Sequence, residues 1–319
     1  MTGSKPMGQQ AKLHDDGGHW PADIPLKPHA ALARCKHGIF RTPLPGMSRG
    51  MKANADFFPH PVWGPRYFEV ENHPGLIAER WRAAIGDWSG KVVVDLGCGP
   101  GNLAKALGGQ PRQLIGVDVS EGALRSAQQL GYVPLLADAH DTPLASGCAD
   151  LVVANATLHH TDDPARVLAE AARLVRPGGL LVTDEDPLRS AFRLRGMPRV
   201  AHALRHLVPV FRVRHHPTRR LRYAGWLEQI HRMRTELHHK FPGDGLAHDV
   251  FERVLAPMGF EVTTYPHGHI AGAELLRDGS STNTLWTRMA QKAAGLDPDA
   301  ANFQLSVMCV ARRQSESTG

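Results

Sequence analysis

The chain has 319 residues, of which 42% are hydrophobic and 21% charged. That is ordinary globular composition, enough for one large domain or two small ones with a core that needs no disulfide staples. No apolar run reaches the roughly 18–20 residues that span a bilayer, residues 1–6 open no apolar leader, and Cys35, Cys98, Cys148 and Cys309 lie too far apart for a C-x-x-C pair. A membrane-spanning chain, a disulfide scaffold and a cysteine zinc site are therefore set aside, and a cytoplasmic location is expected. The net charge of +6 is uneven: residues 187–240 carry 13 Lys and Arg against Glu228 and Glu236, a local +11 that leaves the rest near −5. Such a block suits an anionic partner without naming one.

Pro21, Pro25, Pro28, Pro43, Pro45, Pro59, Pro61 and Pro65 punctuate residues 1–65. A partly flexible arm with no long helix is expected there, ending near the aromatic residues Phe57, Phe58, Trp63, Tyr67 and Phe68. A short helix follows over 74–85, with proline in its first turn and Gly86 as its stop. From Lys91 the pattern becomes strand and helix in alternation. Apolar runs at 92–96, 114–118, 133–136, 150–154 and 180–183 predict five strands, and 121–130 and 164–175 carry helical spacing between them. Continuous apolar strands separated by amphipathic helices predict an α/β fold, a parallel sheet covered on both faces. Beyond Asp184 the rhythm breaks. Residues 187–240 read as helical, 249–255 as a helix, and 259–262 and 305–311 as the closing strands.

The chemistry-bearing residues gather where these strands end. The first strand runs into Asp95-Leu96-Gly97-Cys98-Gly99-Pro100-Gly101-Asn102, a glycine loop at the carboxyl end of a strand, where open α/β sheets bind nucleotides. Its spacing is G-x-G-x-G, not the G-x-G-x-x-G of dinucleotide sites. The preceding Asp95 is better placed for a cationic ligand than for a pyrophosphate. Asp118 ends the second strand, where a carboxylate can accept ribose hydroxyls. Asp138 follows the third, placed to accept from an adenine amino group. Each aspartate alone could be a helix cap or a turn residue; three at successive strand ends form a site.

With these pieces the sequence resembles the class I S-adenosylmethionine-dependent methyltransferases, of the small-molecule, UbiE-like kind. The matching stretches are 92–102, 114–120, Ala137-Asp138-Ala139, 150–160 and the Arg176-Pro177-Gly178-Gly179 turn, in order over about 70–185. The resemblance implies a Rossmann-like, seven-stranded, mostly parallel sheet with an antiparallel last strand. The chain is then expected to divide into an arm (1–65), a cofactor-binding core (66–186), a basic helical lid (187–258) and closing strands (259–319). It also implies S-adenosyl-L-methionine as cofactor, with Gly97, Gly99, Gly101 and Asn102 facing its methionine part and Asp95 near its ammonium. Asp118 and Val119 would lie at the ribose, Asp138 and Ala139 at the adenine, Asn155 and Ala156 under the sulfonium, and Tyr67 or Phe68 would close over the top.

His159 and His160, after the fourth strand, are the candidates for acceptor contact or general base, His160 first; either could merely pack or cap. His267-Gly268-His269 could reach the pocket mouth, but no third ligand is specified, so no metal is expected. The expected acceptor is a small molecule, acidic or phosphorylated if the basic block and residues 271–294 form the lid. An RNA acceptor gripped by the same block, a lipid or quinone met at a membrane surface by 203–211, and cofactor binding without catalysis are the rival readings. An NAD oxidoreductase conflicts with the glycine spacing and the Arg-Pro-Gly-Gly turn.

Overall fold

The structure, a computed structural model, describes residues 19–34, 37–44, 46–57, 74–189, 245–268, 270–300 and 304–315. Among the described residues nine strands form one sheet: β1 (Ala33–Arg34), β2 (Phe40–Arg41), β3 (Val92–Leu96), β4 (Gln113–Asp118), β5 (Val133–Leu136), β6 (Ala149–Asn155), β7 (Val175–Pro187), β8 (Phe260–His267) and β9 (Ser306–Arg313). Their order is β1-β2-β5-β4-β3-β6-β7-β9-β8. From β2 to β7 all neighbours are parallel, and β9 runs antiparallel to both β7 and β8. The expected seven strands are all present. The correction is at the edge, where the arm adds two short strands beside β5.

Strand period 2 sorts the side chains of β3 onto two faces. Val92, Val94 and Leu96 join one cluster with the buried faces of α5 (Pro164–Leu174) and α6 (Val250–Leu255). Val93 joins the other, with Trp81 and Ile85 of α2 (Pro74–Ile85), Leu103 of α3 (Asn102–Leu107), Leu124 and Ala127 of α4 (Glu121–Gln128), and Tyr132. Asp95 shares the parity of Val93 and is therefore turned toward the α2–α4 layer. Helix starts follow their caps: Ser120 Oγ accepts from Ala123 N at the head of α4, and Asp163 accepts from Ala165 N and Arg166 N before Pro164 of α5.

The described part of the arm is more ordered than its prolines suggest. Ile24 is buried, Trp20 and Phe40 meet edge to face at 5.2 Å, and Lys27 N donates to Pro143 O. The arm also holds a nine-residue helix, α1 (Arg49–Phe57). This helix is tied to the loops at the carboxyl ends of β4 and β6: Ser120 Oγ donates to Ala55 O (3.0 Å), Ser48 Oγ to Asp162 Oδ1 (2.9 Å) and Asn54 Nδ2 to His160 O (3.5 Å). The Arg176-Pro177-Gly178-Gly179 segment, expected as a turn, lies inside β7, where the register with β6 shifts between Ala149 and Leu151. Residues 271–294 hold α7 (Glu274–Asp278) and α8 (Leu285–Ala293); Ala271 and Leu275 are buried in the α2 layer, so this stretch is partly core. The basic block expected as a lid falls, over 190–244, outside the described residues.

Candidate active site

The sheet changes direction of build between β3 and β6: β4 and β5 follow on one side, β7 on the other. Open α/β sheets bind ligands at such a switch point. Here the loops that follow β3 and β6 touch. Gly97, at φ +68°, lies so close to Thr157 that an added Cβ would stand 2.4 Å from its Cγ2, and only glycine fits. Gly99, at φ +52°, has nothing within 4 Å of where a Cβ would point. Its N–H donates to Asp118 Oδ2 (2.9 Å), and Ser120 N–H donates to Asp118 Oδ1 (2.8 Å). Burial raises the Asp118 carboxyl above its ordinary range against these N–H donors, which draw it down. Val119 is half-buried beside it, and Asn102 opens α3 after Gly101.

Asp138 stands two residues beyond β5. One of its oxygens, Oδ1, takes both the backbone N–H (2.9 Å) and Nδ1 (2.6 Å) of His140. Because His140 Nε2 accepts from Asp163 N–H (3.1 Å), Nδ1 carries the proton and donates to Asp138. Burial works against the charge on Asp138, but the hydrogen bonds from His140 prevail and hold its carboxyl below the usual range. Ala139 is half-buried next to it.

Asp95 is 2% exposed, and its Oδ2 accepts from the hydroxyl of Tyr132 (2.7 Å). It is thus held beneath the glycine loop on the α2–α4 side. On the other flank, Asn155 Oδ1 accepts from Trp81 Nε1 (3.2 Å), and Ala156, at φ +52°, donates its N–H to Asp184 O (2.8 Å). Glu185, at φ +59°, makes a second positive-φ residue at an adjoining strand end. Strained backbone of this kind clusters at functional sites.

The two candidate histidines sit in the turn Leu158–His160. His159 is buried, and both its backbone N–H (3.1 Å) and its Nδ1 (2.7 Å) meet Asp186 Oδ1. His160 is half-buried and lies against the His159 ring, centroids 4.1 Å apart. The structure thus pairs His159, the second choice from sequence, with a carboxylate. His267 does not line a mouth. It is 1% exposed, with Nε2 on Asp184 Oδ1 (2.9 Å) and Nδ1 on Gly268 O (2.8 Å). Asp184, Glu185 and His267 place ligand-type atoms within 4.8 Å of one another. The guanidinium of Arg80 bonds both carboxylates there (2.8 Å to Asp184), so a protein cation already balances them. His269, Tyr67 and Phe68 lie outside the described residues.

Sequence reasoning missed Tyr132, His140, Arg80 and Asp186. A signal existed for the last: Asp184-Glu185-Asp186 is a run of three acids ending an apolar strand. Among the described residues no helix is long and apolar enough to cross a membrane.

A family model described as a methyltransferase domain matches residues 94–183. The ubiquinone biosynthesis O-methyltransferase of Thiobacillus denitrificans is 36% identical over 130 residues, 38% of this chain and 55% of that protein. An uncharacterized 37.1 kDa protein from a Streptomyces fradiae transposon is 44% identical over 105 residues, 30% of each. The chain thus spans about a third to a half of the length of the curated relatives it matches. A solved S-adenosylmethionine-dependent methyltransferase from Mesorhizobium loti is 18% identical, with 73% of this chain and 95% of that one covered at a TM-score of 0.44. The matched segment contains β4, β5, β6 and the glycine loop, and over it the chain is similar to a methyltransferase domain.

Proposed function

We propose that the chain binds S-adenosylmethionine at the carboxyl ends of β3, β4 and β5 and transfers its methyl group to a small-molecule acceptor by in-line displacement. The observation that carries this reading is the open space in front of Gly99, flanked by the prepared carboxylates of Asp118 and Asp138. The residues present fit the cofactor. Asp118, fixed by two N–H donors, accepts the ribose hydroxyls; Asp138 keeps Oδ2 for the adenine amino group while His140 holds Oδ1; Asp95 supplies negative charge for the amino-acid end. When bound, the cofactor supplies a methyl group already activated on a sulfonium. The protein's work is then to align the acceptor, exclude water and remove a proton where the acceptor has one.

His159 is suited to that last task. With Nδ1–H donating to Asp186, the His159 ring is held in the orientation of a general base, and Asp186 stabilises the imidazolium that forms when it removes the acceptor's proton. This favours a hydroxyl acceptor, which keeps its proton at neutral pH, and the relatives named for ubiquinone O-methylation are in keeping with it. Burial pushes the Asp186 carboxyl well above its usual range, against the backbone N–H of His159 and with the help of Asp184. Its charged form, which the base needs, is therefore reached at higher pH than for an ordinary carboxyl, and turnover should rise with pH.

Methyl-labelled S-adenosylmethionine, the purified protein and a cell extract split into small-molecule, lipid and RNA fractions test the reading. Label in the small-molecule fraction is the expected result; label confined to a ribonuclease-sensitive fraction would replace it with RNA modification. His159→Asn should lower turnover by about 10²-fold or more while S-adenosylhomocysteine still raises the melting temperature. That loss in His160→Asn alone would move the base to His160.

His140 gives a second prediction. His140→Ala frees Asp138 to rotate, so affinity for S-adenosylhomocysteine should fall by about tenfold, and discrimination against the analogue with hypoxanthine in place of adenine should shrink with it. Calorimetric titration of both ligands measures this; unchanged discrimination would remove His140 from adenine recognition.

A further inference from the structure

We propose that Tyr132 is a positioning residue for the cofactor's cation: its hydroxyl holds Asp95 under the glycine loop as counter-charge to the bound ammonium, and thereby sets the pH dependence of cofactor binding. The inference rests on the cofactor reading above and goes beyond it by assigning a residue outside every motif of the sequence.

Three observations carry it. Tyr132 is 3% exposed and donates to Asp95 Oδ2 at 2.7 Å. Its ring fills the space under the loop: a Cβ on Gly116 would stand 2.7 Å from it and a Cβ on Gly101 3.0 Å, so two glycines make room for this one side chain. Finally, the titratable groups around Asp95 are Tyr132 before β5, Asp118 at the end of β4 and Cys98 in the loop, and among the described residues no lysine, arginine or histidine pairs with Asp95. A buried carboxylate lacking a protein cation beside a ligand-binding loop is completed by a cation that the ligand brings.

Burial raises the Asp95 carboxyl, the Tyr132 hydroxyl draws it back and Asp118 raises it again, to about 7. The sign follows. Below about 7 the empty site holds a proton on Asp95, and an incoming ammonium must displace it to solvent. Affinity therefore climbs as pH rises toward 7 and levels above it. Without the Tyr132 hydroxyl the levelling point moves up, by about one pH unit for one lost hydrogen bond.

The test is titration of S-adenosylhomocysteine between pH 5.5 and 8.5 into the wild-type chain, Tyr132→Phe and Asp95→Asn. 5′-Methylthioadenosine, which lacks the ammonium, is the companion ligand. Expected are a rising limb in the wild type, the same limb displaced upward in Tyr132→Phe with about fivefold weaker binding at pH 7 and most of it recovered at pH 8.5, and no limb in Asp95→Asn or with methylthioadenosine. A limb that stays in place in Tyr132→Phe overturns the proposal and leaves Tyr132 a packing residue. A limb that persists in Asp95→Asn overturns it equally and needs no Tyr132 variant. A folded wild-type chain that binds neither ligand at any pH overturns the cofactor reading itself, and the proposal falls with it.

Discussion

Arg80→Met should lower folding stability by about 3–5 kcal/mol, the cost of leaving a buried carboxylate without its cation. Arg80 is 1% exposed, on the face of α2 that packs against the sheet. Its guanidinium serves Asp184 at 2.8 Å, Glu185 and the carbonyl of Ala271 together. Methionine restores most of the volume and none of the donors. Among the described residues the Asp184 carboxylate would then keep only His267, and the Glu185 carboxylate would lose its guanidinium partner. The paired change Arg80→Met with Asp184→Asn should recover part of the loss, because the remaining polar group no longer carries charge. Urea denaturation of the single and double variants decides it: a loss below about 1 kcal/mol in the single variant would mean that the network contributes little. Burial opposes ionisation of Asp184, but Arg80 and His267 bring its carboxyl below the ordinary range. A depressed acid stabilises the fold above its unfolded value and loses that contribution in acid. The gap between wild type and Arg80→Met should therefore close as pH falls below about 4.

The second large effect separates two glycines that look alike in sequence. Gly97→Ala places a methyl group 2.4 Å from Cγ2 and 2.6 Å from Oγ1 of Thr157, at φ +68°. Thr157 is buried and cannot withdraw. Overpacking and left-handed backbone together should cost about 3 kcal/mol or more and part the loops after β3 and β6. Gly99→Ala meets nothing within 4 Å, so only the backbone cost at φ +52°, about 1–2 kcal/mol, remains. Its methyl group would stand in the space assigned to the cofactor. The expected outcome is a folded Gly99→Ala chain that no longer binds S-adenosylhomocysteine, against a markedly destabilised Gly97→Ala. Thermal melts with and without ligand measure both, and undiminished binding by Gly99→Ala would move the cofactor away from this loop.

What the sequence disclosed depends on the range of the interaction involved. Strands such as 92–96 are continuous apolar runs, and α2 begins and ends on the expected residues because Pro74 and Gly86 act locally. The glycine loop, Asp118 and Asp138 were legible for the same reason: each sits at a fixed step from its own strand. β1 and β2 have two residues each, too few for any period to show. Arg80 reads as a surface residue of an amphipathic helix until its partners, 104 and 105 positions away, are known. His159 and Asp186 are 27 residues apart, and only the turn after β6 lying against the end of β7 brings them together. That is why the sequence favoured the neighbouring histidine. Tyr132 stands just before the run that predicts β5, and its partner Asp95 lies 37 positions away, so nothing local marks it.

The arm's seat on the sheet bears on the order in which the molecule is made. Phe40 pairs with Leu135 and Leu26 with Leu144, so the arm leaves the ribosome about a hundred residues before the surface it rests on exists. The tether from Ser48 to Asp162 closes over a similar span. During synthesis these residues have no edge to join, and closing so long a loop is slow. The nascent core must therefore collapse with β5 uncovered, and the arm, though made before β5, is among the last parts to settle. A bare parallel strand is an adhesive edge, so the interval before the arm arrives is when the growing chain is most exposed to pairing with a stranger.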